Sequence, residues 1–95
     1  MTRNVATPKE IDLERRCIEK AEQHGWLVRK MAYVGRRNAP DRWFFKAGRV
    51  VAVEFKRRGE TPNPTQAKEH DALRGHGVNV RWIDNYEEFC TLLGL

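Results

Sequence analysis

The sequence predicts an α/β protein: a mixed β-sheet flanked by helices, with elements in the order α-β-β-β-α-β-α. Three observations lead there. Leu13, Cys17, Ile18 and Ala21 recur at helical spacings of three and four. Arg49 to Phe55 holds valines and an alanine on both faces, the mark of a central strand buried on both sides. Asn63-Pro64-Thr65-Gln66 is a helix-start signature between that strand and the next apolar segment.

Taken in order, the first helix starts at Thr7-Pro8-Lys9-Glu10. Thr7 is the expected N-cap, Pro8 the first helical residue and Glu10 the reciprocal partner. His24-Gly25 closes it, because glycine accepts the left-handed geometry of a helix end. Trp26 to Val34 reads as the first strand, with Trp26 and Val28 inward and Met31 and Tyr33 candidates for the same face. Residues 35–40 form a loop. Arg42 to Lys46 and Arg49 to Lys56 are strands joined by a tight Ala47-Gly48 turn, so they form a hairpin. The second helix runs from Pro64 to Gly75 or Gly77. Val78 to Ile83 is the fourth strand, and Asp84-Asn85-Tyr86-Glu87 opens a last helix ending at Leu93.

Ninety-five residues suit one domain over 1–95, and a 40% apolar chain can build one modest core. No apolar run approaches the ~20 residues that span a bilayer. The first five residues contain no apolar signal segment. Cys17 and Cys90 form no CxxC pair, which excludes a zinc ribbon and argues against a disulfide scaffold; both are expected as small buried residues. A soluble, cytoplasmic chain is the simplest expectation.

Charge is localised. The net charge is +5, yet residues 29–58 carry ten basic groups against Asp41 and Glu54, a net +8. The other 65 residues carry eight basic and eleven acidic groups, a net −3. Seven of those ten basic groups are arginines, whose planar forks suit phosphate. A basic middle of this kind predicts a polyanion-binding face, nucleic acid before membrane. Arg36 and Arg37, in the loop before Asp41, and Arg57 and Arg58, after Lys56, are either phosphate contacts or solvated charges. The charge map favours contacts for the loop pair.

The chemistry centres on Pro40-Asp41 and Glu54-Phe55-Lys56. Asp41 stands six residues before Ala47, and Glu54 six after Gly48. Hairpin register therefore sets the two carboxylates side by side, and strand alternation puts Glu54 and Lys56 on one face. Adjacent carboxylates repel. A hard divalent cation resolves this, with a backbone carbonyl and waters completing an oxygen shell suited to Mg²⁺ or Mn²⁺. Lys56 can orient an attacking water or neutralise charge on a pentacovalent phosphate. An ordinary Glu54–Lys56 surface pair is the bland alternative; the apolar run around Glu54 argues against it, since a buried charge needs a partner.

These residues resemble the VRR-NUC domain, the virus-type replication-repair nucleases of the PD-(D/E)xK superfamily. The resemblance rests on residues 35–42, residues 48–56, and Pro64-Thr65-Gln66 with His70 and Leu73, and spans about Glu10 to Leu93. It implies a restriction-endonuclease-like fold. It also implies Asp41, Glu54 and the Phe55 carbonyl as metal ligands, Lys56 as the catalytic lysine, Glu14 reaching the metal through water, and Gln66 near the site. Lys30 matches a basic residue at the end of the first strand. Lys30, Arg36, Arg37, Arg42, Arg57 and Arg58 form the expected DNA-binding set. Asn38 stands where the family often has Gly, and asparagine tolerates left-handed geometry nearly as well. The implied activity is a Mg²⁺- or Mn²⁺-dependent endonuclease acting on branched DNA as a Holliday-junction-resolving homodimer, in a phage-infected or prophage-carrying bacterial cell. It needs no small-molecule cofactor. A flap- or restriction-like nuclease and a non-cutting DNA-binding module are the alternatives.

Gln66 is also fully explained as a capping residue, and Glu10 as a cap. Spacing to Gly25 singles out Glu14 among the helix-one acids. His24, His70 and His76 read as surface or helix-end histidines, with His70 one turn from Gln66 and able to face the site. Trp43, Phe44 and Phe45 read as core or interface. The expected dimer surface is either the exposed face of helix one or this aromatic strand.

Overall fold

A computed structural model describes residues 8–95, with side chains from Glu10 onward. The expected Thr7 cap lies outside the described residues. Helix α1 spans Pro8–Gln23 and buries Cys17 and Ala21, with Leu13 and Ile18 packed beside them. The apolar stripe read from sequence is thus its inner face. Trp26 N donates to Ala21 O (3.0 Å) and Gly25 N to Glu22 O (3.1 Å), with Gly25 at φ +85°. These two bonds satisfy the last carbonyls and turn the chain into the sheet.

The strands are β1 (Leu27–Lys30), β2 (Arg42–Lys46), β3 (Arg49–Phe55) and β4 (Asn79–Ile83), lying side by side in chain order. β1/β2 and β2/β3 are antiparallel; β3/β4 is parallel, joined through helix α2 (Pro64–Gly75). The β2–β3 turn holds Ala47 at φ 49° and Gly48 at φ 83°, the double left-handed geometry of a two-residue hairpin. Helix α3 (Tyr86–Leu93) starts at an Asn85 cap whose side chain accepts from Glu88 N.

β1 is shorter than expected. After Lys30 one more bond, Met31 N to Asp41 O (3.2 Å), holds the chain, which then leaves the sheet. Met31 is exposed, and Tyr33 turns toward α2, where its hydroxyl donates to Glu69 (2.6 Å). Both residues are therefore outside the core. The apolar character that suggested a longer strand serves the loop.

α1 and α3 cover one face of the sheet. Val28, Phe44, Val51, Val53, Phe55 and Ile83 meet Phe89 and Leu93 there. Phe44 and Phe89 pack edge-on at 5.2 Å. α2 packs against β4 on the other face, over buried Val80, Ala52 and His70. It leaves Leu27, Phe45 and Val50 uncovered; these pair in one row across three strands, with Leu27 48% and Val50 39% exposed. Of the aromatic triplet only Phe44 is fully core. Cys17 is buried and Cys90 half-buried, both as free thiols.

Candidate active site

The topology brings four chain segments to one end of the sheet. β1 and β3 end there, β2 begins there, and α2 starts a short loop later. A pocket of about 500 Å³ opens at this end, between the first turns of α1 and α2. Asp41, Glu54, Phe55, Lys56, Lys30, Glu14 and Gln66 all line it. Arg42 pairs with Val53, so the next register position sets Asp41 opposite Glu54, as turn counting predicts.

Glu54 is only 6% exposed. Burial and then the neighbouring Asp41 charge push its carboxyl up to about 8, against a downward pull from Lys56. Asp41 is also raised, first by burial; the Phe55 N–H, donating to its Oδ2 at 2.9 Å, opposes this, and the Glu14 charge adds to the rise. The two carboxyls are close enough for one, protonated, to hydrogen-bond the other. Two acids in one desolvated pocket cannot both ionise cheaply. The donors are all oxygen: two carboxylates, with the Phe55 backbone beside them. That set could hold a hard divalent cation if water completed the shell, and a cation would remove the mutual repulsion. Among the described residues no cluster of three or more His, Cys, Asp or Glu is arranged to hold a metal. The carboxyl pair alone carries the fit.

Two further contacts shape the pocket. Asn63 accepts from Gln66 N (2.9 Å) while Gln66 Oε1 accepts from Asn63 N (3.0 Å), closing the predicted capping box. Gln66 Nε2 then points to Glu54 (3.4 Å). The cap and the site contact are thus two ends of one amide. Glu14 does not stand free: Arg42 is ion-paired to it, with both side chains largely buried. Arg42 therefore ties α1 to β2 and is less exposed than the other expected DNA-binding residues.

Arg36, Arg37, Arg57, Arg58 and Lys30 are exposed. Lys30 is on the pocket wall; the four arginines lie outside it. Arg57 pairs loosely with Glu60 (3.3 Å). His24 and His76 sit exposed at helix ends, each with a ring nitrogen 3.0 Å from the carbonyl four residues back. His70 departs from the surface reading: it is 1% exposed, and its Nε2 is buried without a partner among the described residues. Burial, with Arg74 and Lys56 nearby, holds it below its ordinary value, so it is neutral near pH 7.

The site role of Glu10, read from sequence as a cap, and the Tyr33–Glu69–Arg36 contacts escaped the sequence reading. Glu10 lines the pocket one turn before Glu14, a spacing of four that could have flagged it. Glu69 accepts from Tyr33 (2.6 Å) with one oxygen and from Arg36 (3.1 Å) with the other. No local pattern links residues so far apart in the chain. The Tyr33 hydroxyl, raised to about 12 by burial and then by the Glu69 bond, stays a donor at any working pH.

A mixed sheet with Pro40-Asp41 leading into β2 and Glu54-Phe55-Lys56 closing β3 is the architecture of the PD-(D/E)xK nucleases. The chain is 31% identical over 80 residues to "Putative nuclease p44" of Acyrthosiphon pisum secondary endosymbiont phage 1, covering 83% of this chain and 86% of that protein. A solved structure described as a "VRR_NUC domain" superposes with a TM-score of 0.85 at 32% identity, covering 93% of this chain and 97% of the other. No family sequence model matches. The chain belongs to the VRR-NUC family of nucleases.

Proposed function

We propose that the chain is a Mg²⁺- or Mn²⁺-dependent endonuclease that hydrolyses phosphodiester bonds in branched DNA, resolving four-way junctions as a homodimer. The observation that carries this reading is the Asp41–Glu54 carboxyl pair sharing one desolvated pocket with Lys56. Asp41, Glu54 and the Phe55 carbonyl would hold the cation, with Glu14 behind them through water. When bound, the cation supplies a Lewis acid for the phosphate and a nucleophilic water at neutral pH. Lys56 places its ammonium where charge develops on the phosphate and orients the attacking water. Gln66 holds the Glu54 carboxylate in place through its amide.

Lys30, Arg37, Arg57 and Arg58, with Arg36, supply phosphate contacts around the pocket. Arg42 serves Glu14 instead. Cutting two symmetric strands takes two sites, which a two-fold dimer provides. The open row Leu27, Phe45 and Val50 gives a second copy an apolar surface to cover. The phage origin of the relative supports a place in phage DNA recombination or repair inside a bacterial cell. No helix among the described residues is long and apolar enough to cross a membrane.

The test is cleavage of four-way, flap and linear DNA by the purified chain across a metal series. Paired symmetric nicks in the four-way substrate support a resolvase. Flap cutting alone assigns a different branch specificity. Binding without cutting under every metal overturns the enzyme reading.

A further inference from the structure

Val34 is 102% exposed, the most exposed of the large apolar residues described. It stands at the tip of the loop between β1 and β2, seven residues before Asp41. An isolated exposed valine on a floppy loop would be unremarkable. This one is held out. Tyr33, the residue before it, and Arg36, two after it, both bind Glu69 of α2, one at each carboxylate oxygen (2.6 and 3.1 Å). Only Val34 and Gly35 lie between these anchors, and Gly35 takes φ +73° with nothing within 4 Å of where a Cβ would sit. The tip is a two-residue projection from a fixed base.

Its surroundings name the occupant. Residues 29–40 contain Arg29, Lys30, Arg36 and Arg37 and no acid; Glu69 at the base engages Arg36, and Arg29 donates to the Val28 carbonyl, which leaves Lys30 and Arg37. Cations flanking a bare aliphatic side chain suit a ligand with an anionic backbone and an apolar interior. A stacked DNA duplex is such a ligand, and side chains of this kind enter it between base steps. An apolar protein groove would not call for the arginines.

We propose that Val34 is a wedge that enters the base stack at the branch point of the DNA substrate, with Arg37 on the adjoining phosphates. This rests on the nuclease reading above and deepens it by assigning the residue that tells branched DNA from linear duplex. Unstacking costs least where stacking is already interrupted, so a wedge favours branch points over intact helix. The anchored base also fixes the distance from the wedge to Asp41, so the wedge position sets which phosphate reaches the pocket.

The experiment uses the full chain and a four-way junction carrying 2-aminopurine beside the branch, with Ca²⁺ replacing Mg²⁺ to hold off cutting. Binding by the unaltered chain should raise the fluorescence as the probe unstacks. Val34→Ser should abolish that rise and lower the junction-to-duplex affinity ratio about tenfold, the scale of one buried aliphatic side chain. Its melting midpoint should not move, because the side chain touches nothing. Val34→Phe should restore the fluorescence rise. An unchanged ratio and unchanged fluorescence in Val34→Ser overturn the wedge, as does Val34→Phe behaving like the serine variant. If the unaltered chain cuts junctions while these tests fail, only the wedge is lost. If it neither binds nor cuts any branched DNA, the nuclease reading falls and the wedge with it.

Discussion

Glu54→Gln should kill cleavage and yet stabilise the metal-free protein. Glu54 is 6% exposed, and its carboxyl is pushed from an ordinary 4.5 to about 8. The folded chain therefore keeps a proton that the unfolded chain has released. Folding takes that proton up, so stability falls as pH rises through this interval. Below about 6.5 the neutral, buried His70 acts in the opposite sense. Its value is lowered on folding, so its contribution is lost as pH drops. The window from pH 6.5 to 8 isolates the Asp41–Glu54 pair, which titrates together. The slope there is at most about 1.4 kcal/mol per pH unit, which gives about 2 kcal/mol across the window. For a domain this size that is a fall of roughly 10 °C in melting midpoint. The assay is thermal unfolding in EDTA at pH 6.5, 7.25 and 8. The unaltered chain should lose that midpoint, and Glu54→Gln should lose little. At pH 8 the variant should melt higher than the unaltered chain. On the proposed reading, in which the cation binds the folded, ionised pair, added Mn²⁺ should raise the midpoint of the unaltered chain and hardly move the variant. A flat profile for the unaltered chain, or a Gln variant less stable at pH 8, would refute the account of Glu54 as a buried, destabilised acid.

Four other outcomes are expected. Lys56→Ala should abolish cleavage and leave junction binding largely intact in a gel-shift assay; substantial residual cutting would remove Lys56 from the chemistry. Reversing Arg36 and Arg37 to Glu should weaken DNA binding and lower the log–log salt slope by about two, one per lost phosphate contact. Arg37→Glu alone should account for about one of these. Asn63→Ala should cost about 1 kcal/mol in urea unfolding through the lost cap, and slower cleavage would show that the cap also steadies Gln66 against Glu54. Ala47→Gly should raise stability by roughly 0.5–1 kcal/mol by relieving left-handed backbone at φ 49°, far from the pocket, with cleavage unchanged.

Local signals are what made most of the fold legible. The Asn63–Gln66 capping box, the Gly25 stop and the Ala47-Gly48 turn each involve residues within a few positions of one another, and each is present. The facing of Asp41 and Glu54 was also readable, because a two-residue hairpin fixes register by counting outward. Tertiary exchange of partners was not readable. Tyr33 leaves the strand because Glu69, 36 positions later, accepts its hydroxyl. Arg42 looked like one more member of a basic stretch, yet it faces α1 and meets Glu14, 28 positions earlier. His70 looked like a helix-surface histidine because the α2 sequence is polar on most sides. Only the packing of α2 on β4 shows that this position is buried.

The same burial that stabilises the sheet creates the site. β3 is central, so antiparallel pairing with β2 and parallel pairing with β4 both run along it. The run Val51–Phe55 is consequently buried residue by residue, and Glu54 is carried into that environment by its neighbours. Moving the acid one position later would place it at Phe55, whose side chain packs against Phe89 in the α1/α3 core. Moving it three earlier would bury it mid-sheet, far from Lys56. Position 54 is where the strand still enforces desolvation while its end opens to the pocket. A carboxyl there is costly alone and well placed for the proposed cation, so on that reading metal affinity and apo stability are two readings of one free energy. Substitutions that relieve the cost should therefore reduce Mn²⁺ binding in proportion. Comparing EDTA midpoints with Mn²⁺-induced midpoint shifts across Glu54→Gln, Asp41→Asn and Gln66→Ala checks this: a negative correlation is expected, and its absence would separate the two properties.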